Sequence, residues 1–205
     1  MTSVRLSFAE RTWTCGSPFS QSAIAAVGIP WVLYETRGGD VHAGAAPPAV
    51  LDKLKLAEGN PPAPAVTFYD AEGKAMSLND FHGRYVLVNL WATWCGPCIN
   101  ELPSLVRLQA ELPQDKITVL PVDLEKHDAQ KVVEFLERTK IEGLPIYIDR
   151  DFSAMRGFAA NELPLTILID AEGKEVARAA GEQRWDHADS VAFLKAISAP
   201  PASGS

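Results

Sequence analysis

The chain has 205 residues, 47% of them hydrophobic, which is typical of one soluble catalytic domain with flanking segments. Its formal net charge of −7 argues against the basic surface that binding to a phosphate backbone requires, so no nucleic-acid partner is expected. Three cysteines are too few for a disulfide scaffold, and two of them form the single pair Cys95 and Cys98, which leaves Cys15 without an assigned role.

Residues 1–45 have the order of an export signal. Arg5 and Arg11 come first, a weakly apolar stretch runs over residues 22–34, and small residues follow at positions 43–45. The apolar stretch is shorter than the ~20 residues that a membrane-spanning helix needs, and a Gly-Ile-Pro run interrupts it. A cleaved signal peptide, a membrane anchor and an irregular cytosolic extension are therefore all open.

Residues 46–64 are rich in Ala, Pro and Gly, a composition that predicts a semi-rigid linker. We expect the folded domain over residues 65–197, a length that is ordinary for a single domain. Residues 198–205 consist of Ser, Ala, Pro and Gly and predict a flexible tail.

The sequence Asp-Ala-Glu-Gly-Lys occurs twice, at residues 70–74 and 170–174, each time between two short apolar runs. Glycine readily adopts the positive φ that a tight hairpin turn requires, so both copies predict antiparallel hairpins. The first would be an N-terminal hairpin, and the second would join strands at 165–169 and 176–180.

Between these turns, apolar runs alternate with helical patterns. The run Tyr85–Trp91 predicts a central strand buried on both faces, and a helix is expected directly after the cysteine pair. Pro121 places the next strand near an edge or at a strand end. The remaining predicted elements are strands at 117–122 and 146–148 and helices at 128–138, 152–158 and 186–197. This order predicts an α/β fold with a mixed parallel and antiparallel sheet.

Cys95 lies where the central strand ends and the next helix begins. A cysteine reacts as the thiolate, and the partial positive charge at a helix N-terminus lowers the pKa of a thiol there. Gly96 allows the tight turn, and Pro97 suits a first helical position because it has no N–H group to leave unpaired. We therefore expect Cys95 to attack and Cys98 to resolve.

Two interpretations of the cysteine pair involve no redox chemistry, namely half of a zinc site and a purely structural disulfide. A structural zinc site needs four ligands, and none of the histidines has a paired ligand spacing. These histidines are His42, His82, His127 and His187. Redox chemistry is therefore favoured, and neither a metal nor another cofactor is expected.

The run from Asn89 to Cys98 resembles the active-site segment of TlpA-type thioredoxin-like proteins, relatives of ResA and of the CcmG/DsbE cytochrome c maturation proteins. The similarity extends over about residues 65–197 and includes Pro103 and Trp185. It implies a thioredoxin fold, in which helices flank a central mixed β-sheet, with an N-terminal β-hairpin and an inserted helix.

The same resemblance implies a function. Members of the family are periplasmic or otherwise extracytoplasmic reductases, held at the membrane, that keep the cysteine pairs of particular clients reduced during cytochrome c or cytochrome oxidase copper-site assembly. They are recharged by a membrane electron donor of the DsbD/CcdA type. For residues 1–45, the resemblance favours export.

The resemblance also assigns roles to residues around the cysteines. Pro164 corresponds to the family's cis-proline, which leaves the backbone of Leu163 available to an extended client. An ordinary trans turn proline is the alternative. Trp94, Gly96 and Pro97 complete the expected client-binding set, whereas Trp91 is expected in the core.

Glu101 is the candidate proton acceptor for Cys98. Asn89 stands where thioredoxin has a buried aspartate, so a carboxylate elsewhere must accept the proton if one does. Glu101 lies three residues after Cys98, which is about one helical turn. The alternative is a first-turn acid that only complements the helix dipole.

Two other functions are weighed against the reductase. A thiol peroxidase would carry Pro and Thr seven and three residues before its nucleophile, where this chain has Val88 and Ala92. A copper or haem chaperone would use the thiols as soft ligands, but no His or Met accompanies the pair.

Overall fold

The computed structural model describes residues 46–126 and 128–199. The predictions for residues 1–45, for His127 and for the tail beyond residue 199 lie outside the described residues. Within these ranges, no helix is both long enough and apolar enough to cross a bilayer.

Within the described residues, eight strands form one sheet flanked by four α-helices, and the sheet is mixed, as the sequence predicts. The strands are β1 (Leu54–Leu56), β2 (Thr67–Asp70), β3 (Ala75–Ser77), β4 (Tyr85–Trp91), β5 (Ile117–Asp123), β6 (Tyr147–Ile148), β7 (Leu165–Ile169) and β8 (Glu175–Ala180). The helices are α1 (Gly96–Glu111), α2 (Ala129–Thr139), α3 (Ser153–Gly157) and α4 (Ala188–Ile197), and two 3-10 turns cover Ala49–Leu51 and Leu78–Phe81. The strand order is β1-β8-β7-β4-β5-β6-β2-β3.

The central strand β4 separates two hydrophobic clusters because its side chains alternate between the faces of the sheet. Leu87 and Trp91 belong to the cluster that includes residues of α1, α2 and α4. Val86, Val88 and Leu90 belong to the cluster that includes residues of β2 and α3. Strand β4 pairs in parallel with β5 and antiparallel with β7, so it is surrounded on all sides. This placement explains its nearly unbroken apolar sequence.

Both predicted hairpins are present, and their turns use the same hydrogen bonds. Asp70 Oδ1 accepts from the amides of Glu72 and Lys74, at 3.1 and 2.8 Å. In the second turn Asp170 Oδ1 accepts from the amides of residues 172 and 174 at 3.0 and 2.8 Å. The glycines at 73 and 173 both have a φ of +80°. The turn chemistry is therefore contained in the five repeated residues themselves.

The other predicted elements are also confirmed. Asp128 caps α2 by accepting from the amide of Lys131 at 3.3 Å. The expected apolar residues of α2 and α4 are buried, namely Val132, Phe135, Leu136, Val191, Leu194 and Ile197. The edge position predicted from Pro121 is wrong, because β5 lies inside the sheet between β4 and β6. Pro121 immediately precedes the two residues that pair with β6, Val122 and Asp123. Its missing N–H group therefore falls where the pairing with β6 has not yet begun.

The predicted linker at 46–64 is wrong in its first half. Strand β1 pairs antiparallel with β8, and Leu51 and Leu54 are buried in the same cluster as α1 and α4. The prediction failed because the segment's Ala, Pro and Gly content is typical of a linker. The two leucines reach the core because a strand of only three residues pairs with β8. The folded domain therefore begins upstream of residue 65.

A pair of substitutions in β1 tests this boundary. Leu54→Ala should lower the free energy of unfolding by about 2–3 kcal/mol, because a buried leucine leaves a cavity when truncated. Leu56→Ala, on the same strand but with a side chain that is 44% exposed, should cost less than about 1 kcal/mol. Urea unfolding of both variants measures the difference. Equally small losses of unfolding free energy in both variants would instead support a linker over residues 46–64.

Candidate active site

A short turn joins β4 to α1, and residues after β5 hold it in place. The carbonyl of Trp91 accepts from the amide of Leu124 at 2.9 Å, and the amide of Thr93 donates to Glu125 Oε2 at 2.6 Å. Within the turn, the amide of Cys95 donates to the Ala92 carbonyl at 3.1 Å. The turn therefore delivers Cys95 to the start of α1 in a fixed conformation.

Cys95 and Cys98 form a disulfide, with Cα atoms 5.3 Å apart. Cys95 is the N-cap residue of α1, and its Sγ accepts from the amide of Cys98 at 3.2 Å. Pro97 occupies the first turn, as predicted. An N-cap atom faces unpaired helical N–H groups, so a thiolate at Cys95 would be stabilised. Cys95 is 5% exposed and Cys98 only 1%, which favours Cys95 as the sulfur that meets another molecule.

The Leu163-Pro164 peptide bond is cis, as predicted. Leu163 lines an open groove of about 450 Å³ together with Cys95, Trp94, Gly96 and Pro97. All four residues expected to bind a client thus border the groove that contains the attacking cysteine. Trp94 is 72% exposed, whereas Trp91 fills the core as expected.

The rest of the groove wall was not predicted from the sequence. It is formed by Leu124, Met155 and residues 160–162. Leu124 directly follows β5, which runs parallel to β4, so its position beside the end of β4 follows from the topology. Met155 lies on α3, whose amides at Ser153 and Met155 donate to the buried carboxylate of Asp149. The sequence carries no local signal for these contacts.

Glu101 is 1% exposed and accepts three hydrogen bonds, one from β4 and two from the segment after β8. The amide of Gln183 and the indole N–H of Trp185 donate to Oε1 at 2.9 and 2.6 Å. The side-chain N–H₂ of Asn89 donates to Oε2 at 2.9 Å and also to Thr166 Oγ1 at 2.9 Å. Glu101 is therefore more than an exposed first-turn acid.

Two opposing effects determine the pKa of Glu101. Burial removes the carboxylate from water and raises the pKa, while the three donors favour the charged form and lower it. Burial dominates, and the pKa rises from 4.5 to about 7. Because α1 places Glu101 one turn after Cys98, an acid that titrates near neutral pH lies on the helix that carries both sulfurs.

Among residues 46–126 and 128–199, no group of three or more His, Cys, Asp or Glu side chains could hold a metal ion.

The donors to Glu101 at Gln183 and Trp185 lie more than 80 positions away in sequence. The functional contacts that the sequence missed are therefore the non-local ones.

The exposure difference between the cysteines predicts their reactivity. In the reduced protein near neutral pH, iodoacetamide should modify Cys95 at least about tenfold faster than Cys98, because Cys95 borders the groove and caps α1. Mass spectrometry of quenched samples measures both rates, and Cys95→Ser and Cys98→Ser provide the single-thiol controls. Equal rates at both thiols would contradict the assignment.

Glu101 should make stability pH-dependent. The folded protein keeps the Glu101 proton up to about pH 7, while the unfolded chain loses it near 4.5, so stability falls as the pH rises through this window. The difference corresponds to roughly 3 kcal/mol. Between pH 5 and pH 8, oxidised Glu101→Gln should therefore lose about 2–3 kcal/mol less than the unmodified protein in urea unfolding. Glu111→Gln, exposed at the end of α1, is the matched control. The same pH dependence in all three proteins would contradict this reasoning.

Comparison with known proteins agrees with this site. Residues 60–178 match the model of the AhpC/TSA family. The thiol-disulfide oxidoreductase ResA of Bacillus anthracis is 31% identical over 146 residues, which cover 71% of this chain and 82% of the relative. The solution structure of a thiol:disulfide interchange protein from Bacteroides sp. has a TM-score of 0.57 at 28% identity, covering 72% of this chain and 94% of that chain.

The fold is supported by a further solved structure. A Chlorobium tepidum protein described as the thiol:disulfide interchange protein DsbE has a TM-score of 0.60 at 24% identity, covering 71% of this chain and 100% of that chain. The predicted thioredoxin fold is thereby confirmed. The chain belongs to the AhpC/TSA family and is a thiol-disulfide oxidoreductase.

Proposed function

We propose that the protein reduces the disulfides of particular exported client proteins, which supply cysteine pairs for cytochrome c or cytochrome oxidase copper-site assembly. The observation that carries the proposal is the groove in which Cys95 lies beside Trp94, Leu124, Met155 and Leu163. Such a groove can take an extended apolar segment next to a client cysteine. The Gly-Pro pair between the cysteines resembles that of thioredoxin and supports the reducing direction.

The reaction proceeds in two balanced exchanges. The Cys95 thiolate attacks one sulfur of the client disulfide, forms a mixed disulfide and releases the other client sulfur as a thiolate. Cys98 then loses its proton and attacks Cys95 Sγ, which breaks the mixed disulfide and releases the second client sulfur. The protein ends as the Cys95–Cys98 disulfide, and the client has gained two electrons.

Glu101 is proposed as the acceptor of the Cys98 proton. Its carboxyl group is buried on the helix that carries Cys98, and burial raises its pKa to about 7, where it can exchange a proton under ordinary conditions. Pro164 and the backbone of Leu163 would hold the client segment beside Cys95. The oxidised protein would then be recharged by a membrane electron donor of the DsbD/CcdA type.

Export is part of the same proposal. Residues 1–45 would act as a signal peptide or membrane anchor and place the domain in the periplasm. The basic, apolar and small-residue order of this segment supports the proposal.

A trapping experiment in the native host tests the client and the compartment together. Cys98→Ser should accumulate a mixed disulfide between Cys95 and its client, because the resolving thiol is missing, whereas Cys95→Ser should accumulate none. Non-reducing electrophoresis of fractionated cells, followed by mass spectrometry, identifies the partner. Trp94→Ala in the Cys98→Ser background should reduce trapping several-fold if the groove binds the client.

The expected partner is an exported protein with a cysteine pair, recovered from the cell envelope. Trapping of cytosolic proteins only, or trapping that is unchanged by Trp94→Ala, would contradict the proposed compartment or the proposed groove, respectively.

A further inference from the structure

Two carboxyl groups meet at the end of β5, on the other side of the turn from Glu101's helix. Asp123 is the last residue of β5 and is fully buried, while Glu125 follows two residues later and is half-buried. Asp123 Oδ1 accepts from the amide of Glu125 at 2.9 Å. The side chain of Glu125 also acts on the Asp123 carboxyl group and helps to raise its pKa.

Asp123 keeps its proton to a higher pH than an exposed aspartate does. Burial and then the neighbouring Glu125 charge raise the pKa of Asp123 from 3.8 to about 7. Glu125 is half-buried, so its carboxyl group is partly open to water.

Glu125 accepts a hydrogen bond from the active-site turn. Glu125 Oε2 accepts from the amide of Thr93, two residues before Cys95, at 2.6 Å. Hydrogen bonds from an N–H group to a carboxylate are stronger than those to a neutral acceptor. Leu124, between the two acids, donates its amide to the Trp91 carbonyl and lines the groove. The segment after β5 therefore hydrogen-bonds to the end of β4 at Trp91 and to the turn at Thr93.

Other charged groups surround the pair. Lys126 follows Glu125, and its Nζ lies 6.0 Å from the centre of the Phe152 ring. From the β6 side, the amide of the buried Asp149 donates to the Asp123 carbonyl at 2.7 Å, while its carboxylate accepts from two amides of α3. On the side of the turn lie the two cysteines, and Glu101 on α1 titrates in the same pH range as Asp123.

We propose that Glu125 is a positioning residue of the dithiol site, which sets the turn that presents Cys95 through its hydrogen bond to the Thr93 amide, and that this hold requires a protonated Asp123 beside it. When the proton is lost, two adjacent carboxylates repel each other. Glu125 is the more exposed partner and turns toward water, so the Thr93 amide is released. The inference rests on the exchange chemistry of the cysteines but on no particular client.

The Thr93 amide itself reports on this arrangement. In ¹⁵N NMR spectra of the full-length oxidised protein between pH 5 and 9, its resonance should move with a midpoint near 7, the pKa of Asp123. The oxidised protein is used because cysteines in a disulfide do not titrate. Asp123→Asn is neutral at every pH and cannot repel Glu125, so the Thr93 amide should stay hydrogen-bonded and its pH transition should vanish. Glu101→Gln should leave the Thr93 transition in place, which separates the two acids.

Glu125→Ala removes the acceptor and should accelerate hydrogen exchange at Thr93 by about tenfold or more. Glu137→Gln, on an exposed position of α2, should change neither the exchange nor the transition. In the reduced protein, Asp123→Asn should also alter the pH profile of Cys95 alkylation by about twofold or more near pH 8, because one negative charge next to the turn is missing.

The inference is overturned by a Thr93 resonance without a transition between pH 5 and 9, or by a transition that persists in Asp123→Asn. If Glu125→Ala does not fold, the titrations of the unmodified protein and of Asp123→Asn still decide. These measurements need no client, so their failure is distinct from a failure of the trapping experiment.

Discussion

The buried carboxyl group of Glu101 is the constraint around which the active site is assembled. Its donors come from β4, from the main chain after β8 and from the indole of Trp185. A buried acid without such partners would cost several kcal/mol, so β4 and the segment after β8 must both meet α1 at this place. The meeting point also fixes the start of α1. The exposed ion pair between Arg107 and Asp186 joins the same parts of the chain but contributes little by comparison.

Asn89 is suited to this constraint because it is neutral. Strand β4 places it on the same face as Leu87 and Trp91, toward α1, and there it donates to Glu101 and to Thr166. A second carboxylate at this position would repel the first and raise the pKa of one of them further. An amide instead adds no negative charge beside Glu101, which is held by donors that partly offset its burial. Its pKa therefore stays near 7 instead of rising higher.

The sequence predicted those parts of the structure whose causes are local. The hairpin turns follow from Asp70 and Asp170, whose carboxylates bind amides within the same five residues. The position of Cys95 follows from the end of an apolar strand and a proline in the first helical turn. Strand β1 was missed because its three residues are extended only through pairing with β8, more than 100 positions away. For the same reason, no pattern in the sequence shows that Trp185 binds Glu101 or that Glu125 binds Thr93.

In the roles proposed above, the two acids with raised pKa values serve different sulfurs, because they lie on different elements. Glu101 lies on α1, the helix that contains the buried Cys98, whereas Glu125 hydrogen-bonds to Thr93 in the turn before Cys95. The proposed role of Glu101 therefore concerns the resolving step, in which Cys98 must lose its own proton. The proposed role of Asp123 and Glu125 concerns the presentation of Cys95 to the groove. Since burial brings both acids to a pKa of about 7, a single change of pH near neutrality acts on both steps at once. Separating these effects requires substitutions on different elements, which the fold provides because Glu101 lies on α1 and Asp123 on β5.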